Sequence, residues 1–407
     1  MSNIDKIINS IKAVFNASEE NISSLNIMLN DIDANHIYRK FEFISKKNIN
    51  IYSKDELISK TNLLNALMEI VLENPNMEEI DSSERKKLLS DLYKTTASLY
   101  EQLLEQNDEN VLENLSYLVM YSMLSYLADK QTISNIVIEE YNRRLLHNEY
   151  IFPNDIIIQL EFHVYYLIVL MVSNIKNYDG LVNLDSYIKK TQLLLDEAQK
   201  IELEKKEIDI KNGLKISAFG NIIYLSKLLK EYLFSGKIKN EENQDIYSLI
   251  DIYSYNAFYL LGTEDIELKL IGHLLRYTYE QVADNSIWNV AEKSPKIRKF
   301  IENNLSDNNK YIYSLLPSQR EVISEVLTPK KSIIVSMPTS AGKSLLAEMQ
   351  ILFSLHNYRT DGFEPTVCYI VPTNALIDQV KRDLKADFRD FNFNIETALP
   401  FYDVDEI

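Results

Sequence analysis

The sequence predicts an α-helical array followed by an incomplete α/β domain built on a parallel sheet. Three observations carry this. Of nine prolines only Pro75 and Pro153 precede residue 290, and the other seven follow it. Glycine is scarce, eight in 407 residues, where ordinary usage of about 7% gives more than three times as many. Long stretches without either breaker favour helix. Finally, apolar residues recur at helical spacing through the first 290 residues and gather into short runs after residue 310. The two parts are taken as an all-α region over 1–300 and an α/β region over 301–407. A length prior of about 150 residues per domain agrees with two or three folded units.

The helical region reads in order. Asp81 followed by Glu84 resembles a capping box, and Leu88, Leu92, Leu99 and Leu103 then share one face. Val111 to Ala128 is apolar almost all round, as in a helix buried on several sides. Thr263 can cap a helix whose first turn holds Glu264 and Asp265, with Ile266, Leu270 and Leu274 behind it. Consecutive helices on short links predict an antiparallel, solenoid-like array, though no fixed repeat is found. Its many tyrosines, 21 of the 26 in the chain, read as packing residues at helical spacing before they read as a surface for bases. The basic run Lys293, Lys296, Arg298 and Lys299 fits phosphate contact or a solvated helix end.

Beyond residue 310 strands alternate with helices. Ser332 to Ser336 reads as a buried strand, Ser344 to Asn357 as a helix, and Thr366 to Val371 as a second strand. Ala375 to Phe388 reads as a second helix with Leu376, Val380 and Leu384 aligned, and alternation at Phe391, Phe393 and Ile395 as a third strand. This βαβαβ order is that of a parallel sheet covered by helices.

Between the first strand and helix stands MPTSAGKS, residues 337–344. A strand turning sharply into a helix presents unpaired backbone N–H groups, and these with the helix dipole bind phosphate. Gly342 allows the tight turn, Lys343 reaches the β- and γ-phosphates, and Ser344 offers its hydroxyl to Mg²⁺. Lys343 is the sole candidate for a catalytic role in this chain. The cofactors expected are ATP and Mg²⁺. The generic GxxxxGK[ST] pattern has glycine where Met337 stands.

With that substitution PTSAGKS, Pro338, Thr339, Ser340, Ala341, Gly342, Lys343 and Ser344, resembles motif I of the DEAD/DEAH-type superfamily 2 helicases. LLPSQREVI (Leu315 to Ile323) is similar to the segment upstream of that motif, whose glutamine, here Gln319, contacts adenine in families that use it. VPTNALIDQ (Val371 to Gln379) resembles motif Ia, which implies a nucleic-acid backbone site at Pro372, Thr373 and Asn374. Taken alone, Thr373 or Asn374 is also a plain helix cap. The resemblance covers Leu315 to Gln379, and Asn374 stands where DEAD-box members often carry arginine, which leans towards DExH-like helicases. It implies a RecA-like P-loop domain with a parallel sheet, and an ATP-dependent helicase or translocase that holds single-stranded DNA or RNA by its backbone.

The net charge of −17 excludes a general basic coat for nucleic acid, and residues from 301 onward hold 10 Lys+Arg against 15 Asp+Glu. The single cysteine, Cys368, reads as a buried strand thiol, and five scattered histidines give no metal cluster. The longest uncharged apolar run, Val164 to Val172, is short of a membrane span, so a cytoplasmic protein with no membrane partner is expected. A protein partner for the helical region is a further expectation.

A superfamily 2 motor also needs an Asp-Glu pair at a strand end to hold Mg²⁺, and a second motor domain. Asp405-Glu406 follows PFYDV rather than a buried apolar run and reads as loop. The sequence is therefore expected to be the first part of a longer motor, inactive as an isolated fragment. Two other readings stand: a helical-repeat adaptor or signalling NTPase that senses ATP, and one half of a split helicase. An upstream glutamine and a motif Ia are not needed by a switch.

Overall fold

The computed structural model describes residues 52–73, 82–106, 111–130, 135–141, 154–175, 177–205, 209–238, 245–262, 266–306, 312–328, 332–338, 342–357 and 365–397. The chain divides into two compact units, Met1–Tyr232 with Lys237–Ala283, and Leu233–Gly236 with Asp284–Ile407.

The first unit is a helical array. It holds α1 (Lys54–Glu73), α2 (Ser82–Gln106), α3 (Val111–Leu127), α4 (Ile156–Ser173), α5 (Tyr178–Glu204), α6 (Ile210–Ser235), α7 (Ile246–Gly262) and α8 (Ile266–Asp284), of which the end of α6 and Asp284 belong to the second unit. From α1 to α5 each labelled helix packs on the next. Ser53 and Glu56 form a reciprocal capping box at the start of α1: the Ser53 N–H donates to the Glu56 carboxylate at 2.8 Å, and the Glu56 N–H to Ser53 Oγ at 3.3 Å. Asp155 caps α4 by accepting from the Ile157 and Ile158 amides.

The apolar stripes bury as their spacing predicts. Leu88, Leu92, Leu99 and Leu103 on α2 are all buried, and α3 buries every residue from Leu118 to Leu127. The all-round apolarity of α3 reflects its place between α2 and α4. By length and composition α4 is the one helix among the described residues that could cross a membrane. Ten of its residues are buried in the unit, it packs on α3 and α5, and its Glu161 pairs with Lys215 of α6 at 3.1 Å. Those contacts account for its composition. Across the array, Tyr165 meets Phe219 edge to face, Tyr279 shares a 2.9 Å hydrogen bond with Ser226, and Lys269 pairs with Glu69 at 2.8 Å. Tyr93, Tyr100, Tyr121, Tyr126, Tyr165 and Tyr279 are buried, so these tyrosines are packing residues. Asp81, Thr263, Glu264 and Asp265, expected at helix starts, lie outside the described residues, while Leu270 and Leu274 are buried on α8.

The second unit contains α9 (Trp288–Ala291), α10 (Pro295–Ser306), α11 (Pro317–Val326), α12 (Lys343–Asn357) and α13 (Asn374–Asp387). Trp288 pins its start: the indole N–H donates to the Leu233 carbonyl at 2.8 Å, and the ring lies so close to Gly236 (φ +64°) that a Cβ there would stand 2.5 Å from it. Segments 285–287 and 313–315 meet through an isolated antiparallel bridge, with Ile287 N–H donating to Tyr313 O and Leu315 N–H to Asn285 O.

Here the structure corrects the sequence reading. No strand or sheet occurs among the described residues, and the incomplete RecA-like domain with a parallel sheet is not formed there. Residues 332–336 and 366–371 are irregular backbone without a ladder partner, Ile334 is 98% exposed and Ile370 86%. A run of apolar residues suits a strand, but the strand exists only where a second backbone accepts and donates its hydrogen bonds. Cys368, expected as a buried strand thiol, is exposed for the same reason. The alternation at Phe391 and Phe393 has another cause. Their rings stack at 5.3 Å and join Phe388, which touches Phe300 of α10. Lys299 Nζ donates to the Asp390 carbonyl at 2.8 Å, and Lys296 Nζ to the Leu355 carbonyl at 3.1 Å. Two members of the basic run thus hold the chain rather than standing clear of it. Helix α12 packs against both α10 and α11, which sets the stage for the loop that precedes it.

Candidate nucleotide site

The site grows from two helix starts. Pro317 opens α11, where its missing N–H costs nothing, and Leu316 precedes it in extended backbone. Gln319, at the third helical position, turns back so that its Oε1 accepts the Leu316 N–H at 2.8 Å. Its Nε2 donates to the Gly342 carbonyl at 3.0 Å. This side chain is 3% exposed, so one buried carboxamide joins the start of α11 to the residue before α12.

Gly342 takes φ +71°, the left-handed region that glycine enters without cost. A Cβ at this position would stand 2.3 Å from Gln319 Nε2. Backbone conformation and neighbour therefore both require glycine. Helix α12 starts at once with Lys343, and its inner face, Leu345, Leu346, Met349, Leu352 and Phe353, is buried. That burial fixes the axis while leaving Lys343 and Ser344 exposed at the first turn. Lys343 Nζ donates to the Met337 carbonyl at 2.7 Å, closing the ends of the 337–342 loop on one another. Pro338 is exposed, and Thr339, Ser340 and Ala341 lie outside the described residues. A left-handed glycine, a helix N-terminus with free amides, an ammonium and a hydroxyl are groups that suit a magnesium-bound polyphosphate. Among the described residues no group of three or more His, Cys, Asp or Glu is placed to hold a metal ion. Asp405 and Glu406 lie outside them.

The second element is the start of α13. Pro372, Thr373 and Asn374 are exposed. Thr373 is the N-cap residue through its backbone: its carbonyl accepts from the Leu376 and Ile377 amides at 3.1 and 3.3 Å, and its side chain makes no capping bond. The hydroxyl is thus not used as an ordinary cap. No residue of α13 is buried.

The link from Gln319 to Gly342 spans 23 positions and was not legible in the sequence. Leu316 was likewise missed, although proline at a helix start followed two positions later by glutamine is a capping signal.

Comparison with known proteins agrees in place. Residues 316–403 match the DEAD/DEAH box helicase family. The Hachiman protein HamB of Bacillus cereus is 28% identical over 235 residues, covering 53% of this chain and 20% of that protein. The ATP-dependent DNA helicase Hel308 of Methanocaldococcus jannaschii is 28% identical over 96 residues, covering 23% of this chain and 8% of that protein. The matched regions thus span a fifth or less of these relatives. Over residues 316–403, where the DEAD/DEAH box match lies, the chain is of the superfamily 2 helicase type.

Proposed function

We propose that the chain binds ATP with Mg²⁺ at residues 337–344 and the backbone of single-stranded DNA or RNA at Pro372, Thr373 and Asn374, as part of an ATP-dependent cytoplasmic helicase or translocase. In this reading residues 301–407 carry the nucleotide site and residues 1–300 form a helical accessory region offering a surface to a protein partner. The observation that carries it is Gly342: left-handed, immediately before α12, inside the segment that matches the helicase family. The first-turn amides of α12 and the Lys343 ammonium hold the β- and γ-phosphates, while the Ser344 hydroxyl joins the Mg²⁺ shell. Pro338, Thr339, Ser340 and Ala341 belong to the same motif by sequence. Thr373 Oγ1, which makes no capping bond, and the neighbouring Asn374 donate to phosphate oxygens without reading bases.

Backbone hydrogen exchange tests both halves at once. With Mg-ATP the amides of 342–346 are expected to slow, and with a single-stranded oligonucleotide those of 373–377. Unchanged exchange at 342–346 under saturating Mg-ATP overturns the nucleotide reading. Protection by the oligonucleotide elsewhere, but not at 373–377, overturns the second.

A further inference from the structure

We infer that Gln319 is a positioning residue of the phosphate loop and not the reader of adenine. The inference rests on the nucleotide-site reading above and concerns what the glutamine contributes to it. Its amide orientation is fixed by its partners. The Leu316 N–H can only donate, so it faces Oε1; the Gly342 carbonyl can only accept, so it faces Nε2. A carboxamide reads adenine with those same two atoms, one accepting from N6 and the other donating to N7. In this chain both already have protein partners, and 3% exposure leaves almost no surface for a base edge.

The bond to Gly342 has a direct effect on the loop. The peptide between Gly342 and Lys343 is planar and trans, so its C=O and N–H point in opposite directions. Holding the carbonyl towards Gln319 therefore aims the Lys343 N–H, the first amide of α12, away from it. The bond also occupies the space a Cβ at residue 342 would need, 2.3 Å from Nε2. Gln319 and Gly342 thus form one device that fixes the peptide at the mouth of the helix. Such a device acts on phosphate whatever base is attached.

The test compares the wild-type chain with Gln319→Ala and Gln319→Glu in binding Mg-ATP, Mg-GTP and Mg-tripolyphosphate, the last having no base. Gln319→Glu keeps an oxygen for the Leu316 N–H but removes the donor to Gly342, separating the helix cap from the loop contact; circular dichroism checks that the variant retains its helices. Both variants are expected to lose about tenfold for all three ligands, with the ATP-to-GTP ratio unchanged. A loss confined to ATP, with tripolyphosphate unaffected, overturns the inference and returns Gln319 to adenine. So does full affinity in both variants. If the wild-type chain binds none of the three, the nucleotide-site reading itself falls.

Discussion

At Gly342 backbone and neighbour make the same demand. Alanine there meets a left-handed penalty of about 1–2 kcal/mol and a Cβ in contact with Gln319 Nε2. Gly342→Ala is therefore expected to weaken Mg-ATP binding at least about tenfold, which corresponds to about 1.4 kcal/mol, with the helical content unchanged; equal affinity argues against a site at this loop. A second residue speaks for stability. His163 is buried on α4, its Nδ1 2.7 Å from the Tyr187 hydroxyl, and burial first, then nearby Lys190, pulls its pKa down to about 4. The folded state then takes up its proton only near pH 4, whereas the unfolded chain does so near 6.5. Stability from this group is whole above pH 6.5 and falls as pH drops towards 4, by up to about 3 kcal/mol. His163→Gln is expected to flatten that slope in urea midpoints taken between pH 7 and 4.5. That a tight turn at Gly342 leads into a helix at Lys343 and Ser344 was legible, because that signal is local. Gln319's bond to Gly342 was not, since no pattern in a single sequence joins positions 23 apart.

Among the elements, helices were legible and strands were not. The stripe on α2 and the all-round apolarity of α3 each declare a helix and its burial, because a helix satisfies its own backbone. SIIVS and the run before Pro372 carried strand composition, but a strand needs a partner that composition does not supply. Phe391 and Phe393 imitated strand alternation by stacking on each other. Burial also ranks the elements. Leu124→Ala on α3, at a fully buried position, is expected to cost about 2–5 kcal/mol in denaturant unfolding. Leu384→Ala on α13, where no residue is buried, is expected to cost less than about 1 kcal/mol. Asp155→Ala removes the cap of α4 and is expected to cost about 1 kcal/mol. A larger loss from Leu384 than from Leu124 would contradict this ranking.

For the whole molecule, charge limits how nucleic acid can be held. At −17 the net charge of the chain opposes binding of a polyanion. In the proposed reading, contacts at residues 372–374 would neutralise few phosphates, so affinity for a single strand is expected to fall with salt on a shallow slope, on the order of −1 to −2 in log–log form. A slope several times steeper would point to a basic surface away from α13. The proposed nucleotide site rests on Lys343, whose ammonium donates to the Met337 carbonyl at 2.7 Å. Titration calorimetry of Mg-ATP into the wild-type chain and into Lys343→Ala tests that site directly. Saturable binding by the wild type, weakened about 10- to 100-fold in the variant, is the predicted result. Equal affinity in the two proteins, or no binding by either, would contradict it.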